Sequence, residues 1–166
     1  MIGNDIVDLA LARKESNWQR KGYLDKIFTQ KEQLLIKKAV NPEAMVWNLW
    51  TRKEAAYKIY NRETNIRTYM PLQLECDFES NTIGSVCCNG FIFYTTTKIS
   101  QEFIYTIAVA QKEYLHQIST ITLETKISKL NDIPFIFDES TLISHPVSIT
   151  HHGRFWVGIT LFKPTV

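Results

Sequence analysis

Cysteine is scarce, at three residues in a chain of 166. Cys76, Cys87 and Cys88 are odd in number, two of them adjacent, and none has C-x-x-C spacing. Neither a disulfide framework nor a thiolate metal site is encoded. No apolar run approaches the roughly 18 residues of a membrane span, and the N-terminus lacks the apolar core of a signal peptide. The expectation is a cytoplasmic protein with no membrane partner. Low-complexity linkers and short fixed repeats are also missing. Nor is there much excess charge: 19 Lys and Arg against 17 Asp and Glu leave +2. A nucleic-acid partner would need a stronger basic stripe interleaved with exposed aromatics, so none is expected.

What is present is globular, with 45% hydrophobic and 22% charged residues. The length suits one domain spanning 1–166, or two small lobes sharing a core, with a weak composition break near 112–118. "MIGNDIV" reads as a strand and "DLALARKESNWQRK" as a helix that Asp8 is placed to cap. "FTQKEQLLIKKA" reads as a helix starting at Thr29, because Thr29 and Glu32 have capping-box spacing. Asn41–Pro42 starts a long helix running to about Tyr60. Beyond it the period becomes two. "LQLECDF", "SVCCNGFIFYTTTKI", "EFIYTIAVA", "TITLETKI", "PFIF", "HPVSIT" and "FWVGITLF" are strand candidates. Helices first and strands later predict an α+β fold.

Three stretches carry candidate chemistry. "GNDIVDL" sets Asp5 and Asp8 among aliphatic side chains. In "WNLWTRKEAAYKIY", Glu54 and Lys58 are four apart and share a helix face, the spacing of an ordinary surface ion pair as much as of a site. In "HPVSITHHGRFWVGIT", His151 and His152 are adjacent on a strand and point apart, which disfavours zinc. Ser148, Thr150 and His151 instead offer hydroxyl and imidazole donors suited to a phosphate. Arg13, Lys14, Arg20, Lys21 and Lys26 form a basic cluster that fits either an acidic partner or a solvated face.

Taken in order, "GNDIVDL", "FTQKE", "WTRKEAAYK" and "VSITH" resemble the signature of the 4′-phosphopantetheinyl transferases of the holo-acyl-carrier-protein synthase type. That resemblance implies an α+β fold in which small antiparallel sheets pack on a long helix, with one lobe or two pseudo-symmetric ones. Small members form trimers and long ones fuse two halves, so both monomer and trimer are open. It implies transfer of phosphopantetheine from coenzyme A to a serine of an acidic acyl or peptidyl carrier protein. The binding-only alternative is an inactive member that holds coenzyme A or the carrier.

The resemblance also assigns roles. Asp5 and Glu54 would bind a divalent cation, magnesium or manganese. Asp8 is a further candidate ligand, weighed against helix capping. The third acidic ligand of long members falls at Val7 here, so water would complete the shell. Lys58 would stabilise charge on the diphosphate, and Glu54, directly or through water, would take the serine proton. His151 would contact the nucleotide phosphates with Ser148 and Thr150 beside it, and Lys53 would be a weaker phosphate contact. The basic residues 13–26 would steer the carrier.

Overall fold

The computed structural model of the chain describes residues 1–162. Strand β1 (Ile2–Asp8) runs directly into helix α1 (Leu9–Glu15). Asp8 caps that helix, accepting from the amides of Ala10 and Leu11. The helix expected over 8–21 stops at Glu15. Asn17 accepts from the Gln19 amide, a local bond that competes with helical pairing, and Trp18 folds back against the core. A short helix α2 (Tyr23–Ile27) follows. Helix α3 (Gln30–Lys38) starts where its capping box predicts, with both reciprocal bonds between Thr29 and Glu32 formed. Helix α4 (Pro42–Thr64) starts at Asn41, whose side chain accepts from the Ala44 amide. It outruns Tyr60 by a turn and stops where Asn65 takes a left-handed φ of 59°.

The strands divide into two sheets. The first contains β1 with β2 (Glu75–Phe78), β3 (Ile83–Cys88), β4 (Phe91–Ile99) and β5 (Phe103–Val109). Its order is β1-β5-β4-β3-β2, antiparallel throughout. The single strand expected over 85–99 is a hairpin, broken at Asn89 (φ 48°) and Gly90 (φ 86°). Asn-Gly is the dipeptide that accepts two positive φ angles in a two-residue turn, and the apolar alternation on either side hides it. The first residues of "LQLECDF" are diverted into a 3₁₀ turn at Pro71–Gln73.

A second 3₁₀ segment, Lys112–Gln117, leads to β6 (Ile118–Ile121), β7 (Ser128–Leu130), β8 (Ile133–Asp138), β9 (Ile143–His152) and β10 (Phe155–Leu161). Their order is β6-β10-β9-β8-β7. "TITLETKI" stays extended only to Ile121, because Thr122 and Thr125 close a turn on each other. The fold is thus α+β, with two five-stranded antiparallel sheets and few helices.

Helix α4 lies across the first sheet and supplies much of the main core, including Val46, Trp47, Leu49, Ala55, Ala56 and Ile59. Each fully buried aliphatic side chain contributes about 1.5–3 kcal/mol. The approach of β1 to α4 is close enough to require a glycine. A Cβ at Gly3 would collide with the Ala55 carbonyl and sit 3.3 Å from Ile59. Gly3→Ala is expected to cost about 3 kcal/mol or more, read as a lowered denaturation midpoint. A midpoint within experimental error of the parent would show that β1 does not pack this tightly.

Candidate active site

Strand β1 pairs with β5 along one edge only. Its other edge faces β9, and there the missing ladder is replaced by side chains. The Asn4 amide donates to Ser148 Oγ at 3.1 Å and the Ile6 amide to Thr150 Oγ1 at 3.3 Å. The Asp8 amide donates to His152 Nδ1 at 2.9 Å. The strand's carbonyls are met from α4: Lys58 Nζ donates to Asn4 O at 2.6 Å and Arg62 to Ile2 O at 3.0 Å. Lys58 also reaches Ile149 O of β9 at 3.2 Å. Two-residue strand periodicity makes the match, since residues 148, 150 and 152 project on one side.

Asp5, midway along this seam, shares a cleft with Glu54 of α4. Both line a cleft of about 360 Å³ together with Trp47, Trp50, His151 and His152. Burial raises the Asp5 carboxyl from 3.8 to about 7; Lys58 opposes the rise and the Glu54 charge adds to it. Burial likewise pushes Glu54 up. Tyr69 lies beside Glu54 and opposes that rise, although no hydrogen bond to its buried hydroxyl closes. Lys58 Nζ is 3.8 Å from Asp5 Oδ1, and burial pushes the ammonium down. Lys58 closes no ion pair with Glu54, so the i, i+4 spacing does not make a surface salt bridge here; the ammonium is spent on β1 and β9 carbonyls.

The other expected site residues are placed differently. Thr150 Oγ1 donates to Asp5 Oδ1 at 3.1 Å, so it orients the carboxylate. Ser148 is fully buried with its hydroxyl committed to Asn4. Asp8 is engaged on both oxygens: Arg154 donates to it from its amide, Nε and Nη2 at 2.9–3.0 Å. Those bonds hold Asp8 well below the usual carboxylate range, which fits a cap and clamp and leaves no oxygen free for a metal. Lys53 is sealed in the core, 2.7 Å from Glu32 Oε2, with both side chains wholly buried. Arg13 is forked onto Glu43; it and Lys14, Arg20, Lys21 and Lys26 are all exposed.

Burial and, for Asp5, the neighbouring Glu54 charge disfavour the ionised forms of both carboxyls, a cost that a bound cation would offset. Among the described residues no group of three His, Cys, Asp or Glu could hold a metal. The donor set therefore fits an ion that takes two carboxylate oxygens and fills its shell with water and substrate phosphate. Beyond Lys58 a second pocket of about 590 Å³ opens between α4 and the β7–β8 hairpin, with Arg62, Arg67 and Lys129 on its wall. Asp132, 3.8 Å from Arg67, is the acid there. Sequence reading did not find this pocket, because its cations come from segments more than sixty residues apart. Nor did it find Tyr69, which lies beyond the end of the motif-bearing helix.

No helix of the described residues is long and apolar enough to cross a membrane. No curated protein matches the chain. The family model for the 4′-phosphopantetheinyl transferase superfamily matches residues 1–118, which takes in β1, α4 and the whole first sheet and stops short of β9. With the acidic strand and the acidic helix matched as one span and converging in one cleft, the chain belongs to the 4′-phosphopantetheinyl transferase superfamily.

Proposed function

We propose that the protein transfers the 4′-phosphopantetheine arm of coenzyme A to the serine hydroxyl of an apo acyl or peptidyl carrier protein, releasing 3′,5′-ADP. The observation that supports this best is the shared cleft of Asp5 and Glu54, with Lys58 3.8 Å from Asp5 and lining a second, cationic pocket. Coenzyme A has a diphosphate and a 3′-phosphate, and the arrangement offers a site for each. The diphosphate would lie over Asp5, Glu54 and Lys58, with the nucleotide end toward Arg62, Arg67 and Lys129.

Asp5 and Glu54 would hold magnesium, which supplies positive charge to the diphosphate and makes 3′,5′-ADP a better leaving group. The chain's own residues do the rest. Lys58 adds fixed positive charge beside the scissile phosphate, and the β1–β9 seam keeps it there. Glu54, directly or through water, is placed to accept the serine proton. Phosphoryl transfer of this kind depends on positioning and charge neutralisation and needs no covalent enzyme intermediate. His151, exposed at the cleft rim, is available to the nucleotide phosphates. Ser16 and Tyr23 border the cleft, so Lys14, Arg20 and Lys21 lie where an acidic carrier would approach, a steering role.

Mass spectrometry of several apo-carriers after incubation with the protein, coenzyme A and magnesium tests the reading. A carrier gaining the phosphopantetheine mass supports it. Magnesium-dependent binding of coenzyme A with no carrier modified would leave only the binding member of the family.

The acid pair also fixes a pH dependence for the metal-free protein. A folded pKa of about 7 against 3.8 for the free group means the native state holds the Asp5 proton more tightly. The Asp5 contribution to stability is complete below about pH 4 and is lost as pH rises through 7. Melting in chelator should fall between pH 5 and 8, and magnesium at pH 8 should restore it. A melting temperature in chelator that rises over this range would contradict the burial of Asp5.

A further inference from the structure

We infer that His152, the second histidine of "THHG", contacts the substrate as a neutral donor: its Nε2–H is aimed at a phosphate oxygen of the diphosphate bound over Asp5 and Glu54. This rests on the function proposed above. The family resemblance assigns a role to His151 alone.

The first observation is the tautomer. A backbone amide can only donate, so the 2.9 Å bond from the Asp8 amide to Nδ1 requires a lone pair on Nδ1. The neutral ring therefore has its proton on Nε2. The second is place. His152 lines the same cleft as Asp5 and Glu54, and its Nε2 has no protein partner among the described residues. Ser148 and Thr150, the preceding members of the same strand face, do find partners on β1. The third is rigidity. The amide that orients the ring belongs to Asp8, whose carboxylate is gripped by Arg154 and by the Ala10 and Leu11 amides. Gly153, at φ +54°, brings that turn so near that a Cβ would stand 2.5 Å from Asp8 Oδ2.

His152 is half-buried on the wall of a cleft that also holds two acids, and an unpartnered Nε2–H there calls for an acceptor, which the diphosphate oxygens supply. With Nδ1 occupied and Nε2 protonated, the ring has no free lone pair. His152 is thus not the base for the serine hydroxyl, and that duty stays with Glu54. Asp8 and Arg154 act through it as positioning residues.

The test uses the full chain with coenzyme A, magnesium and a carrier that the parent protein modifies. His152→Ala should lower kcat about 10²-fold, the usual loss for one preorganised donor. His152→Gln has an amide oxygen for the Asp8 amide and an NH2 for the cleft, and should recover to within about tenfold of the parent. Melting temperatures of both variants separate a folding defect from a catalytic one. Independently of turnover, nitrogen-15 NMR of the His152 ring should show Nδ1 unprotonated and Nε2 protonated, with Nε2–H alone moving when coenzyme A and magnesium are added. Parent-like kcat in His152→Ala, a proton on Nδ1, or a ring indifferent to coenzyme A would each overturn the inference. A parent protein that modifies no carrier would instead strike the proposed function, and the NMR arm would still decide the tautomer.

Discussion

Glu54→Gln should abolish carrier modification, by about 10³-fold or more, while leaving the protein at least as stable as the parent. Both halves of that result come from the same cleft. On the proposed function the charged carboxylate would hold the cation and take the serine proton, and glutamine would do neither. In the metal-free protein that same carboxylate is a burden: burial pushes its pKa up, and its charge helps raise Asp5. The amide removes the desolvation cost and one side of a like-charge contact without changing shape. A melting curve beside the mass-spectrometric assay checks the pair of expectations. Unchanged turnover would remove Glu54 from the site. A large loss of stability would mean that the carboxylate is a structural acceptor.

Lys53→Met should destabilise by about 3–5 kcal/mol, the usual result of stranding one member of a buried ion pair. Glu32 is a hub: beside Lys53 it accepts from the amides of Thr29 and Cys76, tying α3 to β2 and α4. Removing the ammonium leaves its carboxylate in the core with no counter-charge. The double variant Glu32→Gln/Lys53→Met should regain much of the loss, and a double-mutant cycle in denaturant measures the coupling. Folded Lys53→Met protein should keep the parent KM for coenzyme A, because the ammonium faces Glu32 and Pro71 O and lies outside the cleft. A raised KM would instead return Lys53 to phosphate contact. Loss of less than about 1 kcal/mol would deny the pair itself.

The contrast between Lys53 and Glu54 shows where sequence reading reaches its end. Adjacent residues on a helix point roughly 100° apart, so one turns inward to Glu32 and the other to the cleft. Spacing gives that divergence but not which direction is the core. The start of α3 at Thr29 and of α4 at Asn41 could be read directly, because a cap is a local bond with a local residue signature. The convergence of Asp5 with Glu54 could be read only through the resemblance, since forty-nine positions of chain say nothing about distance. Residues 118–145 were the least legible. Their strands are short and half-exposed, which blurs the alternation by which a buried strand is recognised. Ser148 and Thr150 look like phosphate donors in one dimension because a hydroxyl suits either an anion or a bare amide. Only the free edge of β1 decides between them.

A conventional sheet joint is indifferent to which amino acids compose it, since main chain bonds main chain whatever the residue. The join of β1 to β9 has less of that immunity: the strand's amides are met by a serine, a threonine and a histidine, each removable by one codon change. Alanine at all three would bare alternate amides along a lone border strand, beside Asp5, and offer a template to any extended segment of another molecule.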